Sequence, residues 1–161
     1  MSKIKLLILL LINIFFASCV NQNISDQKFS LDYIGGEYDG LVLKNMLKAK
    51  LVNFDKFDQG SIYKIQAKIR HSQNLYITNI DNTSDRELIN TTLDIKIIES
   101  INDCLAYNYS NNVSQYYIYA STDKFISNQK AVERIKYNNT VDIVQDFINE
   151  LIYINISCEN K

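Results

Sequence analysis

Residues 61–71 read SIYKIQAKIRH, and within them Tyr63, Ile65, Ala67 and Ile69 alternate with Lys64, Gln66, Lys68 and Arg70. Successive side chains of a strand point to opposite faces, so this stretch reads as a β-strand with one apolar and one basic side. A sheet built of such strands covers one face and leaves the other in water. What covers the apolar side decides the fold; what meets the basic side decides the function.

Both flanks answer the first question. Upstream, "KFSLDYIG" (28–35) alternates Phe29, Leu31 and Tyr33 with polar neighbours and ends at Gly35-Gly36. Asp39 is the expected cap of a helix through "GLVLKNMLKAKLVNF", in which Leu43, Met46, Leu47, Leu51 and Phe54 recur at steps of three and four. Downstream, the alternation slips near Ser72 to Asn74, which predicts a bulge. After a loop at "DNTSD", "ELINTTLDIKIIES" puts Ile89, Leu93, Ile95 and Ile97 on one face. "LAYNYS", with Leu105, Tyr107 and Tyr109 in phase, continues as "VSQYYIYAS" past a break at Asn111-Asn112. Ser127 is the expected cap of a last, long helix. Val132, Ile135, Val141, Val144, Ile148 and Leu151 form its stripe, Phe147 and Ile152 flank it, and Asn138-Asn139 predicts an irregularity. The order β-α-β-β-β-α gives an α/β (α+β) two-layer sandwich, with two helices on one face of a four-stranded mixed sheet.

The amino terminus sets the compartment. Lys3 and Lys5 precede the apolar run Leu6 to Ala17, about a dozen residues where a membrane-spanning helix needs roughly 20. A basic start, a short apolar middle and small residues at the end are the pattern of a secretory leader. Phe16-Ala17-Ser18-Cys19 resembles the bacterial lipobox, with Phe16 where Leu is usual. That resemblance implies a cleaved signal peptide (1–18) and a lipid on Cys19. Two or three acyl chains anchor a protein stably where one does not. Residues 19–28 then read as a lipidated tether, and 29–161 as a single domain. With Val20 and Asn21 following, and no Asp there, the expected address is the outer membrane, periplasmic side.

The chain of 161 residues has a formal net charge of −1, which gives no sign of a nucleic-acid partner. Catalytic signatures are missing from the sequence. The lone His71 has no nucleophile elbow, Gly35-Gly36 lacks phosphate-loop spacing, and Asp94 and Glu99 read as solvated carboxylates on an exposed strand face. Cys104 and Cys158 stand apart in sequence without the clustered His and Cys of a zinc site. No enzyme, metal or cofactor is expected. If the last helix runs back along the fourth strand, Cys158 returns toward Cys104 and a disulfide becomes feasible.

Taken together, the lipobox at Cys19, "GLVLKNMLKAKL", "YKIQAKIR", Arg86 before the third strand, and "YYIYAS" followed by "KAVERI" resemble the LPS-assembly lipoprotein (LptE-like) family, as a divergent low-GC member. The resemblance implies a non-enzymatic plug of an LptD-like outer-membrane β-barrel that also binds lipopolysaccharide. Lys64, Lys68 and Arg70, with Arg86 beyond, are then candidate contacts for lipid phosphates; the competing reading is a solvated basic face. Tyr107, Tyr109, Tyr116, Tyr117 and Tyr119 read as a partner surface or as an ordinary half-buried strand. The rival function is a small envelope lipoprotein that binds peptidoglycan or another envelope protein.

Overall fold

The computed structural model of the chain describes residues 25–77, 85–118 and 124–158. The expected leader, Cys19 and Tyr119 lie outside the described residues, as does most of the "DNTSD" loop. Strands β1 (Ser30–Gly35), β2 (Tyr63–Ile77), β3 (Asp85–Glu99) and β4 (Cys104–Ile118) form one sheet in the order β1-β2-β3-β4. Helices α1 (Glu37–Asn53) and α2 (Phe125–Tyr153) cover one face. β1 runs parallel to β2, while β2, β3 and β4 form an antiparallel meander, so the sheet is mixed. This is the two-layer α+β sandwich with the element order expected.

The core follows the alternation. Ile65, Ala67 and Ile69 of β2 and Ile89, Leu93, Ile95 and Ile97 of β3 are buried beneath Leu43, Leu47 and Leu51 of α1 and Ile143, Val144, Phe147, Ile148 and Leu151 of α2. Each such side chain removed from water contributes roughly 1.5–3 kcal/mol, which outweighs the weak intrinsic strand preference of any one residue. Tyr109 reaches down from β4 and packs on Phe147, ring centroids 5.2 Å apart.

Several expectations need correction. β2 carries no bulge at Ser72 to Asn74, since its pairing with β3 is unbroken from Tyr63↔Glu99 to Ile77↔Asp85. His71 and Gln73 keep the phase but place polar atoms on the inward side. The irregularities fall elsewhere. In β1, Leu31 pairs with Ile65 and Ile34 with Ala67, so β1 spends three steps where β2 spends two. That extra residue turns Tyr33 outward, 68% exposed, instead of into the core. In β4 there is no break at Asn111-Asn112; the register slips between Ile97↔Tyr107 and Ile98↔Leu105, which bulges Ala106 and sends Leu105 out of phase with Tyr107. Leu105 is accordingly exposed.

The helix starts also differ. α1 begins after Gly36, whose φ of 123° is open to glycine. A Cβ there would stand 2.9 Å from the Ile69 side chain. Asp39 is therefore not the cap but lies in the first turn with Glu37, where negative charge complements the helix dipole. α2 begins at Phe125, two residues before Ser127. Asn139 causes no irregularity. It is 1% exposed, and its Nδ2 donates to Ile89 O at 3.4 Å and Thr91 Oγ1 at 3.3 Å, tying α2 to β3. Left unpaired, a buried amide would cost about 1–3 kcal/mol.

Candidate functional site on the open sheet face

The uncovered face of the sheet carries the even-numbered residues of β2. Lys64, Lys68 and Arg70 are exposed there, as read from the sequence. The register adds one residue the sequence reading missed. Lys96 of β3 lies opposite Gln66, between Lys64 and Lys68 on the neighbouring strand, and is likewise exposed. Cross-strand and diagonal neighbours on one face lie within about 5–8 Å, so these three ammonium-bearing side chains share a patch. Knowing the pairing would have found it; nothing local to Lys96 points to Lys64.

Arg70 has a different assignment. Its Nη2 donates to Asp94 Oδ2 at 2.5 Å, and Ser110 Oγ donates to Asp94 Oδ1 at 2.7 Å. The guanidinium is thus largely neutralised within the sheet. Gln66 Nε2 similarly takes Asp32 Oδ2 at 2.9 Å. Arg86 does not join the patch. It pairs opposite Tyr76, six residues beyond Arg70, and at about 3.3 Å per residue that places it roughly 20 Å farther along the strand. The outward-turned Tyr33 stands beside the lysines. Together with Lys68 and Lys96 it lines a shallow depression of about 340 Å³, with Asp94 and Ser110 opposite. Two cations in the depression, with Lys64 on the same face beyond it, and an aromatic rim suit an anionic, partly apolar ligand.

His71, next along β2, is not on the basic face. Its side chain is 5% exposed and points into the helix layer. Nδ1 lies 2.8 Å from Thr91 Oγ1 and Nε2 lies 3.7 Å from Asp39 Oδ2. Strand parity alone carried this signal, because position 71 follows 65, 67 and 69. The imidazole forms the floor of a second cavity of about 400 Å³, with Tyr38, Glu133, Lys136 and Tyr137 around it. Burial holds its pKa below the ordinary 6.5; Asp39 opposes that shift and Lys136 adds to it. The hydroxyl that His71 meets, Thr91 Oγ1, belongs to a fully buried side chain.

The tyrosines divide. Tyr107 and Tyr109 turn inward, and the phenol of Tyr107 donates to the Glu150 carboxylate. Burial first, then that hydrogen bond, pushes the Tyr107 pKa upward, so it stays a phenol at neutral pH. Tyr116 is exposed on the open face.

The structure brings Cys104 and Cys158 together, their Cα atoms 6.2 Å apart, within the span a disulfide allows. Glu99 points toward them and away from Asp94, its Oε2 2.8 Å from Cys158 Sγ and 3.4 Å from Cys104 Sγ. Sulfurs bonded to one another offer no thiolate to a metal. The same corner holds the residues that lead in from the amino terminus. Ser25 N–H donates to Ile152 O at 3.1 Å, Gln27 Nε2 donates to Ile156 O, and Ile156 N–H donates back to Gln27 Oε1 at 2.7 Å. No helix among the described residues is long and apolar enough to cross a membrane.

No protein-family model matches this chain, and no curated protein matches it. Solved structures do. Rare lipoprotein B from Shewanella oneidensis superposes with a TM-score of 0.61 at 7% identity, covering 78% of this chain and 93% of that one. Lipoprotein B from Nitrosomonas europaea gives 0.59 at 10% identity, over 80% and 84%. A minor lipoprotein from Acinetobacter baumannii gives 0.53 at 13% identity, over 78% and 92%. At these identities the likeness is one of fold: this chain has the two-layer sandwich that those bacterial lipoproteins have.

Two measurements check this geometry. Between the lowered folded pKa of His71 and the ordinary 6.5, the unfolded chain binds more protons than the folded one. Unfolding free energy is therefore expected to be full above pH 6.5 and to decline as pH falls below it; denaturant titrations of His71→Gln should lose that decline. An unchanged slope in the variant would contradict the buried placement. A thiol count on oxidised, unfolded protein should find neither Cys104 nor Cys158 reactive, and two reactive thiols would rule out their bond.

Proposed function

We propose that this chain is a non-enzymatic outer-membrane lipoprotein, held by a lipid on Cys19, that plugs and helps assemble an LptD-like β-barrel and binds lipopolysaccharide in transit to the cell surface. The observation that carries the ligand is the patch of Lys64, Lys68 and Lys96 beside Tyr33, on a sheet face that no element among the described residues covers. Lipid A presents phosphates next to acyl chains, and ammonium groups beside an aromatic ring match both parts. The fold shared with the lipoproteins above and the lipobox resemblance at Cys19 support the envelope setting. Arg70 acts here as a structural partner of Asp94, and Arg86 stands too far off to share a phosphate with Lys64.

Anchoring at Cys19 gives the domain a short leash. Residues 25–28 are held at the corner where Gln27 grips Ile156, so only the stretch from Cys19 to that corner separates lipid and domain. The sheet thus works close to the membrane surface, where a lipid ligand is delivered.

Reversing charge at Lys64, Lys68 and Lys96 (each →Glu) should weaken binding to lipopolysaccharide by a factor of about 100 or more, since each charge-assisted contact is worth about 1.5–3 kcal/mol. Circular dichroism should be that of the parent, because all three side chains are exposed, with a melting temperature lowered only slightly by the carboxylate that Lys68→Glu sets opposite Asp94. Undiminished binding by a folded variant would overturn the lipid site.

A further inference from the structure

β4 is an edge of the sheet: it pairs with β3 on one side and with no strand among the described residues on the other. Fifteen residues long, it is far from the short edge strands that proteins use to avoid unwanted pairing. It also lacks the defences of charge and proline, although Asn112 N–H already donates to Asn111 Oδ1 at 2.8 Å. From Cys104 to Ile118 there is no Asp, Glu, Lys, Arg or Pro. With 22% charged residues in the chain, a stretch of this length would hold about three. Its neighbours carry theirs, with Lys64, Lys68 and Arg70 on β2 and Asp94 and Lys96 on β3. Its one bulge sits at Ala106, near the start, and leaves the run from Tyr107 to Ile118 regular. The opposite edge is protected in the ordinary ways: β1 is six residues long and bears Asp32.

We infer that the β4 edge is an interface, and that its occupant is β4 of a second copy of this chain, joined antiparallel about Asn111. Self-pairing demands that the strand be compatible with its own reverse. A two-fold axis at Asn111 sets Tyr109 opposite the partner's Val113 on the helix-covered side, an aromatic and a β-branched residue that pair well across strands. On the open side it sets Ser110 opposite the partner's Asn112 and Asn108 opposite the partner's Ser114, small polar groups able to hydrogen-bond. No like charges meet anywhere along the ladder, because the strand has none. Charged edges repel a second copy and this edge does not. A barrel wall is a poor occupant of this edge, since closed barrels present no free strand.

Such pairing is isologous: one surface meets itself and the assembly closes at two. It would fuse two four-stranded sheets into one of eight strands. The axis stands perpendicular to the sheet, so both helix layers lie on one side and both lysine patches on the other. The inference goes beyond the proposed function and does not depend on it.

The test is the oligomeric state of the purified full-length protein by sedimentation velocity, followed to high micromolar concentration. The parent should sediment as a dimer. Ser110→Lys with Asn112→Lys sets ammonium against ammonium across the axis and should give a monomer with parental circular dichroism. Ser110→Lys with Asn112→Glu sets ammonium against carboxylate at the same two places and should restore the dimer. A monomeric parent, a dimer that survives the double lysine change, or a failure of the opposite-charge pair to restore association would each overturn the inference.

Discussion

Strands that alternate apolar and polar residues bury one face and keep the other wet, and most of what this molecule does follows from that constraint. Two helices suffice to close the apolar side, because α1 lies over β1 and β2 while α2 lies over β3 and β4. Lys50 Nζ donates to Gln145 Oε1 and ties the helices to each other across the top of the core. Once that layer is filled, the second face has nothing left among the described residues to cover it. Its lysines therefore stay available, and a ligand that approaches them meets a rigid, hydrogen-bonded surface.

The helix layer is not uniformly greasy. Toward the amino-terminal part of α2 the interface turns polar, with Asn139, Thr91 and His71 linked in a buried run and Thr140 bonding back to Lys136 O. Toward the other end it is packed with Phe147, Ile148 and Leu151, and finished by the corner where the Cys104–Cys158 contact and the Gln27–Ile156 pair meet. The apolar end carries the packing, at several kcal/mol for a large side chain. The polar end fixes register, because Asn139 can satisfy its amide only where Ile89 O and Thr91 are. A slip of α2 along the sheet would strand that amide.

How much of this the sequence carries depends on the range over which each feature is decided. The inward positions of β2 and β3 are local: Ile65, Ala67, Ile69, Leu93, Ile95 and Ile97 alternate within single stretches, and all are buried where alternation puts them. Lipid-facing candidates Lys64 and Lys68 follow from the same parity. The two bulges are not local. The extra residue before Ile34 and the displaced Ala106 are set by the strand alongside, so Tyr33 and Leu105 face the opposite way from their own alternation. Lys96 became part of the patch only through register, and Arg86 left it for the same reason. Asn139 illustrates a third case: helix propensity marks it as weak, while a hydrogen bond to another strand makes it an anchor. The inward face of His71 follows from parity alone, since position 71 is in phase with Ile65, Ala67 and Ile69.

The central claim is that the open sheet face, not the helix layer, meets the envelope ligand and partner. Photocrosslinking in cells tests it most directly, with a crosslinking residue placed at Lys68 or Lys96 on the sheet, and at Lys44 or Lys130 on the helices. The account predicts adducts to lipopolysaccharide or to a large barrel protein from the two sheet positions and none from the helix positions. Adducts confined to the helix positions would contradict it.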